Sequence, residues 1–469
     1  MRHKRLASII GMAALAVAVL IGPAYAGLAD ILYEKGQLTK EEWLKAKADE
    51  EKAMAPVEKV SEWQKKVSKL PILSDRFNIG VNVLQVQYLN NEANGTPGNS
   101  DNRLFIRRAE LISWGKVNDY FPRWHMLADF GSLSNVTGGS GQNANTGTTT
   151  ATNNQILREA YVDLVPALSV QPYLDRIRIG QYRIPVGIEG STSSGLIDFI
   201  NRNYITAAPG ATTSTAPLAS TSVLGTATAG TLSSTMDFIP ERDIYVDFKS
   251  KPVEQLELDL GIMNGNGING VGNSVDNNNN KDFFGRARVK PRKDMFFSFG
   301  TIAGQSSNLN SRNGGRGKGA YDRYIADFQI KPEIIPGLWL QGEFAWGHDA
   351  PPAGATTDTV QGTTARGEVR TAWYVYGKYL FQNGPLKDWE ILARHEQFDP
   401  SKQTSEDMLV RTTVGVNYYF TNLPPRIQAK LMLNYEFRRF DGTGPGTVVT
   451  DRAEFGHDAI LLQLHVRWF

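Results

Sequence analysis

Apolar and polar residues alternate along most of this 469-residue chain, from Phe77 to its last residue. The clearest stretch begins at Ile427, where every second residue through Phe437 is apolar and all but one of the residues between them are polar. Successive side chains of a β-strand point to opposite faces, so a period of two predicts strands with one apolar and one polar face. We therefore expect an all-β protein over most of this length.

The spacing of these segments narrows the choice among all-β folds. About 16 candidate strands can be counted, and the connections between them alternate between long ones and short ones of about four to eight residues. A barrel threaded through a membrane produces this alternation, because its odd and even connections lie on opposite sides. The predicted fold class is an all-β, 16-stranded antiparallel transmembrane β-barrel at residues 75–469, preceded by a short helical periplasmic N-terminal segment.

Composition excludes several other classes of protein. A mean hydropathy of −0.32 is too polar for a bundle of membrane helices, each of which needs about 20 mainly apolar residues. A barrel stays compatible with this value, because half of each strand faces water. The sequence has no cysteine, which excludes disulfides, thiolate nucleophiles and covalent haem attachment through cysteine. The formal net charge of +2 gives no indication of nucleic-acid binding.

The first 26 residues have the organisation of a secretory signal peptide. Three basic residues precede an apolar run from Leu6 to Ile21, and Ala24-Tyr25-Ala26 then forms a cleavage site of the A-x-A type. Cleavage after Ala26 removes three of the 50 basic side chains and leaves a net charge of about −1. Export and the barrel pattern together predict the bacterial outer membrane, with its lipid and lipopolysaccharide, as the location.

Residues 27–74 are predicted to form the helical periplasmic segment. Thr39 and Glu42 have the spacing of a capping box, in which the hydroxyl and the carboxylate bind free N–H groups at a helix start. Val60, Trp63 and Val67 follow at helical spacing. Two interpretations stay open: a solvated helix docked on the rest of the protein, or self-association as a coiled coil.

Charged residues indicate which face of each strand looks into the lumen. A Lys or Arg at the lipid midplane of a barrel costs about 2–4 kcal/mol, so the charged face is expected to point inward. Opposed rows of arginine and carboxylate across a pore would create a transverse field that favours small polar solutes, whereas pairing along the wall would merely stiffen it. The predicted pore-lining basic residues are Arg123, Arg176, Arg178, Arg286, Arg288, Arg323, Arg394 and Arg411, and the acidic ones are Asp129, Asp247, Glu257, Asp259, Asp327 and Glu343.

The third odd-numbered connection, at about 185–242, is the longest in the chain. Loops of this length are usually functional, so we expect this one to form the constriction of the pore. It contains no lysine. Its candidate constriction residues are Glu189, Asp198, Arg202, Asp237, Glu241 and Arg242.

Three segments resemble the phosphate-selective porins O and P. They are Phe105-Ile-Arg-Arg-Ala-Glu-Leu111, Leu157-Arg-Glu-Ala-Tyr-Val-Asp163 and Arg178-Ile-Gly-Gln-Tyr-Arg-Ile-Pro-Val-Gly-Ile-Glu189. The resemblance implies a 16-stranded barrel, commonly a homotrimer, whose third external loop narrows the pore. Phosphate selectivity in that family is associated with an arginine ladder and a lysine cluster near the constriction, and the third connection lacks the lysines.

The end of the chain carries a second resemblance. Trp468 and Phe469 follow the last alternating segment, and a terminal aromatic residue resembles the recognition signal of bacterial outer-membrane barrels. The resemblance implies that the barrel-assembly machinery binds the chain through Phe469.

These features predict an outer-membrane porin, a water-filled channel for passive diffusion of small hydrophilic solutes, with a phosphate-like anion preference as a further hypothesis. We expect no enzyme activity, cofactor or resident metal, because no catalytic or metal-binding spacing is present. A weak calcium site at Asp276–Asp282 stays open, although that stretch lacks the central glycine and the final glutamate of a calcium loop. The alternative function is a structural barrel around a partner such as a multihaem cytochrome in an electron conduit.

Overall fold

The computed structural model describes most of the predicted barrel and a short N-terminal piece. The signal peptide, most of residues 27–74, the residues 207–241 and Phe469 lie outside the described part, and predictions that concern them stay predictions. The described residues are 39–45, 76–91, 101–131, 156–166, 170, 173–206, 242–265, 281–306, 319–349, 368–399, 402, 408–420, 427–441 and 458–468.

A helix occupies residues 40–45, and Thr39 caps it as predicted. The Glu42 backbone N–H donates to the Thr39 hydroxyl at 3.3 Å, and the Thr39 backbone N–H donates to the Glu42 carboxylate at 2.9 Å. The backbone hydrogen bond from Thr39 holds the pKa of Glu42 below its usual value. Within the described residues, no helix is long and apolar enough to cross a lipid bilayer.

Sixteen strands form one closed sheet in which each strand pairs with its chain neighbours and β1 pairs with β16. The described strand pairs are antiparallel, and this confirms the predicted fold class. The even-numbered strands all end at the same end of the barrel, which we call the short-turn end. The strands are β1 Asn78–Asn91, β2 Asp101–Gly115, β3 Arg123–Asp129, β4 Leu157–Leu164, β5 Arg176–Arg183, β6 Arg242–Val253, β7 Leu256–Met263, β8 Asp282–Arg292, β9 Met295–Ser306, β10 Gly319–Ile330, β11 Leu338–Asp349, β12 Glu368–Leu380, β13 Trp389–Asp399, β14 Met408–Phe420, β15 Ile427–Asp441 and β16 Ala459–Trp468.

The strands point apolar side chains outward and polar side chains inward, which is the reverse of a water-soluble barrel. In β15, Leu433 is 46% exposed, whereas its neighbours Met432 and Asn434 are fully buried. In β13, Ile391 is exposed while the carboxylate of Glu390 is buried. The outer surface is therefore apolar and the inner wall is largely polar, which is the arrangement that lipid on the outside requires.

Aromatic residues gather at the short-turn end. The Trp389 and Tyr418 rings lie 5.1 Å apart, and Tyr418 contacts Phe420 at 5.2 Å. Tyr379 and Phe381 make a similar pair at 5.0 Å. Aromatic rings of this kind are enriched where a membrane meets water, so these pairs are placed as an interfacial girdle would be.

Substitution of Leu433 by arginine tests which face meets lipid. Leu433 lies near the middle of β15 and points outward, so Leu433→Arg should lower the free energy of unfolding by about 2–4 kcal/mol in a bilayer. Equilibrium unfolding in urea, followed by tryptophan fluorescence in lipid vesicles, measures the change. The matched control is Ile334→Arg, because Ile334 is 89% exposed in the turn after β10. Equal stability of the two variants would contradict the assignment of the outer face.

Candidate functional site

Residues 184–206, which follow β5, run inside the barrel, and we call them the inner loop. Its backbone amides donate to side chains on the inner wall. Glu189 N–H donates to Glu343 on β11, and Ile200 N–H donates to Asn434 on β15, both at 2.8 Å. Because these partners lie on strands far apart around the barrel, the inner loop is fixed by many parts of the wall at once.

The inner loop crosses the lumen from the β8–β9 side to the β16–β1 side. Near its start, the Arg286 guanidinium donates to the Pro185 carbonyl at 3.2 Å. At its far point, the carbonyl of Gly195 lies 3.2 Å from the His465 ring on β16, and Asn82 on β1 donates to the Ser193 hydroxyl at 3.3 Å. The loop then returns to β13, β14 and β15.

A glycine on β9 makes room for the start of the inner loop. If Gly300 carried a Cβ, that atom would lie 2.7 Å from the side chain of Val186, which is closer than real Cβ contacts. Val186 is fully buried at this point. The absence of a side chain at Gly300 therefore lets the loop pack against the wall.

The return arm of the inner loop packs on a buried charge cluster. Glu396 accepts a hydrogen bond from Arg411 at 2.6 Å and forms an ion pair with Arg394 at 3.0 Å. The backbone N–H of Tyr204 donates to the other carboxylate oxygen of Glu396 at 2.8 Å. The Arg411 guanidinium also donates to the Arg202 carbonyl at 2.5 Å. Arg394, Glu396 and Arg411 are buried. Buried charges need partners that replace water, and here opposite charges and backbone groups supply them.

Further ion pairs line the wall elsewhere. Arg178 donates to Asp163 at 2.7 Å through one nitrogen and at 2.9 Å through another. Arg176 lies 2.5 Å from Asp247. These side chains come from neighbouring strands β4, β5 and β6.

The sequence left two arrangements open, opposed rows of charge across the pore and pairing along the wall, and the contacts among the described residues include pairs of the second kind. Arg286 pairs with Asp327 at 3.0 Å, and the Arg394 guanidinium lies 3.6 Å from Glu189 of the inner loop. Positive and negative groups thus pair along the wall or with the loop. The reason is geometric, since neighbouring strands lie about 4.8 Å apart and bring inward charges within reach of each other.

The remaining predicted pore-lining residues also lie on inward-facing strand positions, in varied surroundings. Arg323 donates to the carbonyls of Asp322 and His348. Arg123 is exposed and lies 5.7 Å from the ring centre of Tyr161. Asp129, Asp259 and Glu343 are buried, and Asp129 accepts from the Ala109 N–H.

Of the predicted constriction residues, Arg242 is placed differently from the expectation. It was assigned to the third connection, but it is the first residue of β6. Arg242 is fully buried and lies 2.8 Å from Glu159 on β4. The Glu159 carboxylate compensates the charge of the buried Arg242 guanidinium at the start of β6. Glu189, Asp198 and Arg202 lie on the inner loop, whereas Asp237 and Glu241 lie outside the described residues.

Two groups of lysines that are not among the predicted site residues lie near the short-turn end. In the first, Glu257 is approached by Lys290 at 2.5 Å and by Lys249 and Lys251 at 3.7 and 3.8 Å. Arg288 lies 3.5 Å from the same carboxylate. A carboxylate that faces four cations leaves this part of the wall with net positive charge.

The second group meets the inner loop. Lys378 on β12 lies 2.8 Å from Asp198 of the loop, and Lys430 on β15 lies 3.9 Å from it. The third connection itself contains no lysine. The alternation along the strands could have indicated these lysines. Lys378 shares the inward face of β12 with buried Tyr376, and Lys430 is buried on the inward face of β15.

Within the described residues, no three His, Asp or Glu side chains are placed to hold a metal ion. The calcium-like stretch at 276–282 lies outside them, except for its last two residues.

No family model matches the sequence, and no curated protein matches it either. Among solved structures, the chain is similar to OprB of Pseudomonas putida, with a TM-score of 0.52, 9% identity and coverage of 87% of this chain and 97% of that one. It is also similar to OmpF of Salmonella typhi in complex with daunomycin, with a TM-score of 0.50, 12% identity and coverage of 84% and 97%. An anion-selective porin from Comamonas acidovorans aligns with a TM-score of 0.48, 11% identity and coverage of 84% and 98%. At such identities the similarity shows the fold alone, which is the 16-stranded barrel of outer-membrane porins.

Proposed function

We propose that the protein is an outer-membrane porin, a water-filled channel for passive diffusion of small hydrophilic solutes. The observation that carries the proposal is the combination of an apolar outer face with a charged inner wall that is crossed by the inner loop. The lumen of a membrane-spanning barrel with a polar inner wall is filled with water, and small hydrophilic solutes can diffuse through it. We include in the proposal that the inner loop narrows this path. Swelling of proteoliposomes in solutions of small neutral sugars tests the permeability.

Anion preference is the finer part of the proposal. The two lysine groups near the short-turn end support it, because cations there outnumber the carboxylates that they contact. The three segments that resemble the phosphate-selective porins O and P point the same way. An entrance with net positive charge raises the local concentration of anions.

The sign of the reversal potential tests this preference. Across a tenfold KCl gradient, the protein should give the sign of an anion-selective channel. The triple variant Lys249→Gln, Lys251→Gln and Lys290→Gln should move that potential toward the cation-selective side, because it removes three positive charges around Glu257. The control variant changes Lys116, Lys293 and Lys387, which are exposed in short turns, to glutamine. A potential that the first triple variant leaves unchanged would contradict the role of this lysine group.

The proposal extends to the organisation and assembly of the chain. We propose a signal peptide at 1–26, a helical periplasmic segment at 27–74, a barrel domain at 75–469 and assembly into a homotrimer. Recognition by the barrel-assembly machinery through Phe469 belongs to the same set. The sheath around a cytochrome gains no support, since the inner loop occupies lumen that such a partner would need.

A further inference from the structure

Asp198 of the inner loop inserts its carboxylate among donors that belong to the barrel wall. One oxygen accepts from Lys378 at 2.8 Å and from the Tyr376 hydroxyl at 3.3 Å. The other lies 3.9 Å from the Lys430 ammonium. Three groups from β12 and β15 therefore converge on a single carboxylate that the loop supplies.

The wall holds Lys378 in place without help from Asp198. Lys378 also pairs with Glu390 on β13 at 3.2 Å, and its ammonium lies 4.3 Å from the ring centre of Trp339. Lys430 is held by the wall and the loop together, because its ammonium lies 5.6 Å from the ring centre of Tyr419 on β14 and donates to the Ile197 carbonyl of the inner loop at 2.8 Å.

A third cation lies beside the same group. The Lys331 ammonium lies 3.6 Å from the ring centre of Trp339, the ring that Lys378 also contacts. Three lysines therefore face two carboxylates, Asp198 and Glu390. If Asp198 left, the wall would keep a surplus of positive charge at the point that its carboxylate now occupies.

We propose that Lys378, Lys430 and Tyr376 form a binding site for small carboxylate anions, and that Asp198 occupies this site in cis. The side chain of Asp198 is chemically an acetate group on a tether. A tethered group acts at an effective concentration of about millimolar or higher, so free carboxylates compete with it only at similar concentrations. A carboxylate that displaces Asp198 also frees this part of the inner loop. The inference rests on the proposed function only in that solutes must reach the lumen.

Acetate binding to the detergent-purified protein tests the site. The probe is sodium acetate, and saturation-transfer NMR of its methyl group gives the dissociation constant. Asp198→Asn keeps the size of the side chain but removes its charge, so the variant should bind acetate at least tenfold more tightly than the wild type. The double variant Asp198→Asn with Lys378→Gln should lose this gain. Asp198→Glu, which restores a tethered carboxylate, should bind acetate as weakly as the wild type.

The same acetate titration is carried out on a control variant outside the lumen. Asp294→Asn removes a carboxylate that pairs with Arg292 in the β8–β9 turn, and its acetate affinity should equal that of the wild type. Equal or weaker acetate binding by Asp198→Asn would overturn the inference, as would retention of the gain in the double variant. Heat-dependent mobility in detergent gels checks that each barrel is folded, and Asp198→Ser replaces the asparagine variant if that one does not fold. Binding is read without ion current, so a barrel that binds acetate but does not conduct contradicts the porin proposal alone.

Discussion

Removal of the inner loop's far half should raise the single-channel conductance several-fold. The variant lacks residues 190–201 and joins Glu189 to Arg202 through two glycines. The structure permits this junction, because the Arg202 guanidinium donates to the Glu189 carbonyl at 2.5 Å and Asn203 N–H donates to the Glu189 carboxylate at 3.1 Å. The deleted residues are the ones that reach across the lumen to β16 and β1.

The conductance should rise because water and ions would then occupy space that protein atoms now fill. The wall groups that lose loop partners, such as Asn434 and Lys430, would be hydrated instead of left unsatisfied, which limits the cost to stability. The control is a deletion of the same length at 352–363, in the connection between β11 and β12. An unchanged conductance in the inner-loop variant, with a folded barrel, would show that the ion path does not pass the loop.

Loss of the Glu396 charge should cause the largest fall in stability. Glu396→Gln keeps the size of the side chain but leaves Arg394 and Arg411 without the charge that both now contact. Removal of one partner from a buried ion pair typically costs about 3–5 kcal/mol. Urea unfolding followed by tryptophan fluorescence should therefore show a clearly lower midpoint for this variant.

Two further variants separate this effect from a general loss of charge. Glu333→Gln changes an exposed carboxylate in the turn after β10, and such surface changes usually stay within about 0.5 kcal/mol. A double variant, Glu396→Gln with Arg411→Met, should recover part of the lost stability, because it removes a buried arginine that has lost its nearest carboxylate and keeps only Glu436 at 3.5 Å. Wild-type stability of Glu396→Gln would mean that water already reaches and solvates the cluster.

The strands could be predicted because the alternation of apolar and polar residues is a property of each segment by itself. Each lipid-facing position must be apolar, and the next residue along is then free to be polar, as in Leu433 and Asn434. This constraint repeats every two residues over the length of a strand, so it can be read without knowledge of the partner strands. The same parity placed the charged residues on the inner wall.

The contacts inside the lumen could not be predicted in the same way, because they depend on register between distant segments. Ile200 donates to Asn434, which is 234 residues away in the chain. The contact between Arg242 and Glu159 could not be predicted, because Glu159 lies two strands earlier and the pairing of β4, β5 and β6 brings the two residues together. The grouping of Lys378 and Lys430 around Asp198 could not be predicted for the same reason, since these lysines belong to β12 and β15.

Single-channel recording in planar lipid bilayers tests the proposed channel most directly. The purified wild-type protein in KCl should insert in discrete current steps whose size rises linearly with voltage, as expected for a water-filled path. A control preparation that was heat-unfolded before reconstitution should give no steps. A folded barrel, verified by heat-dependent gel mobility, that enters the bilayer and carries no current would contradict the porin proposal.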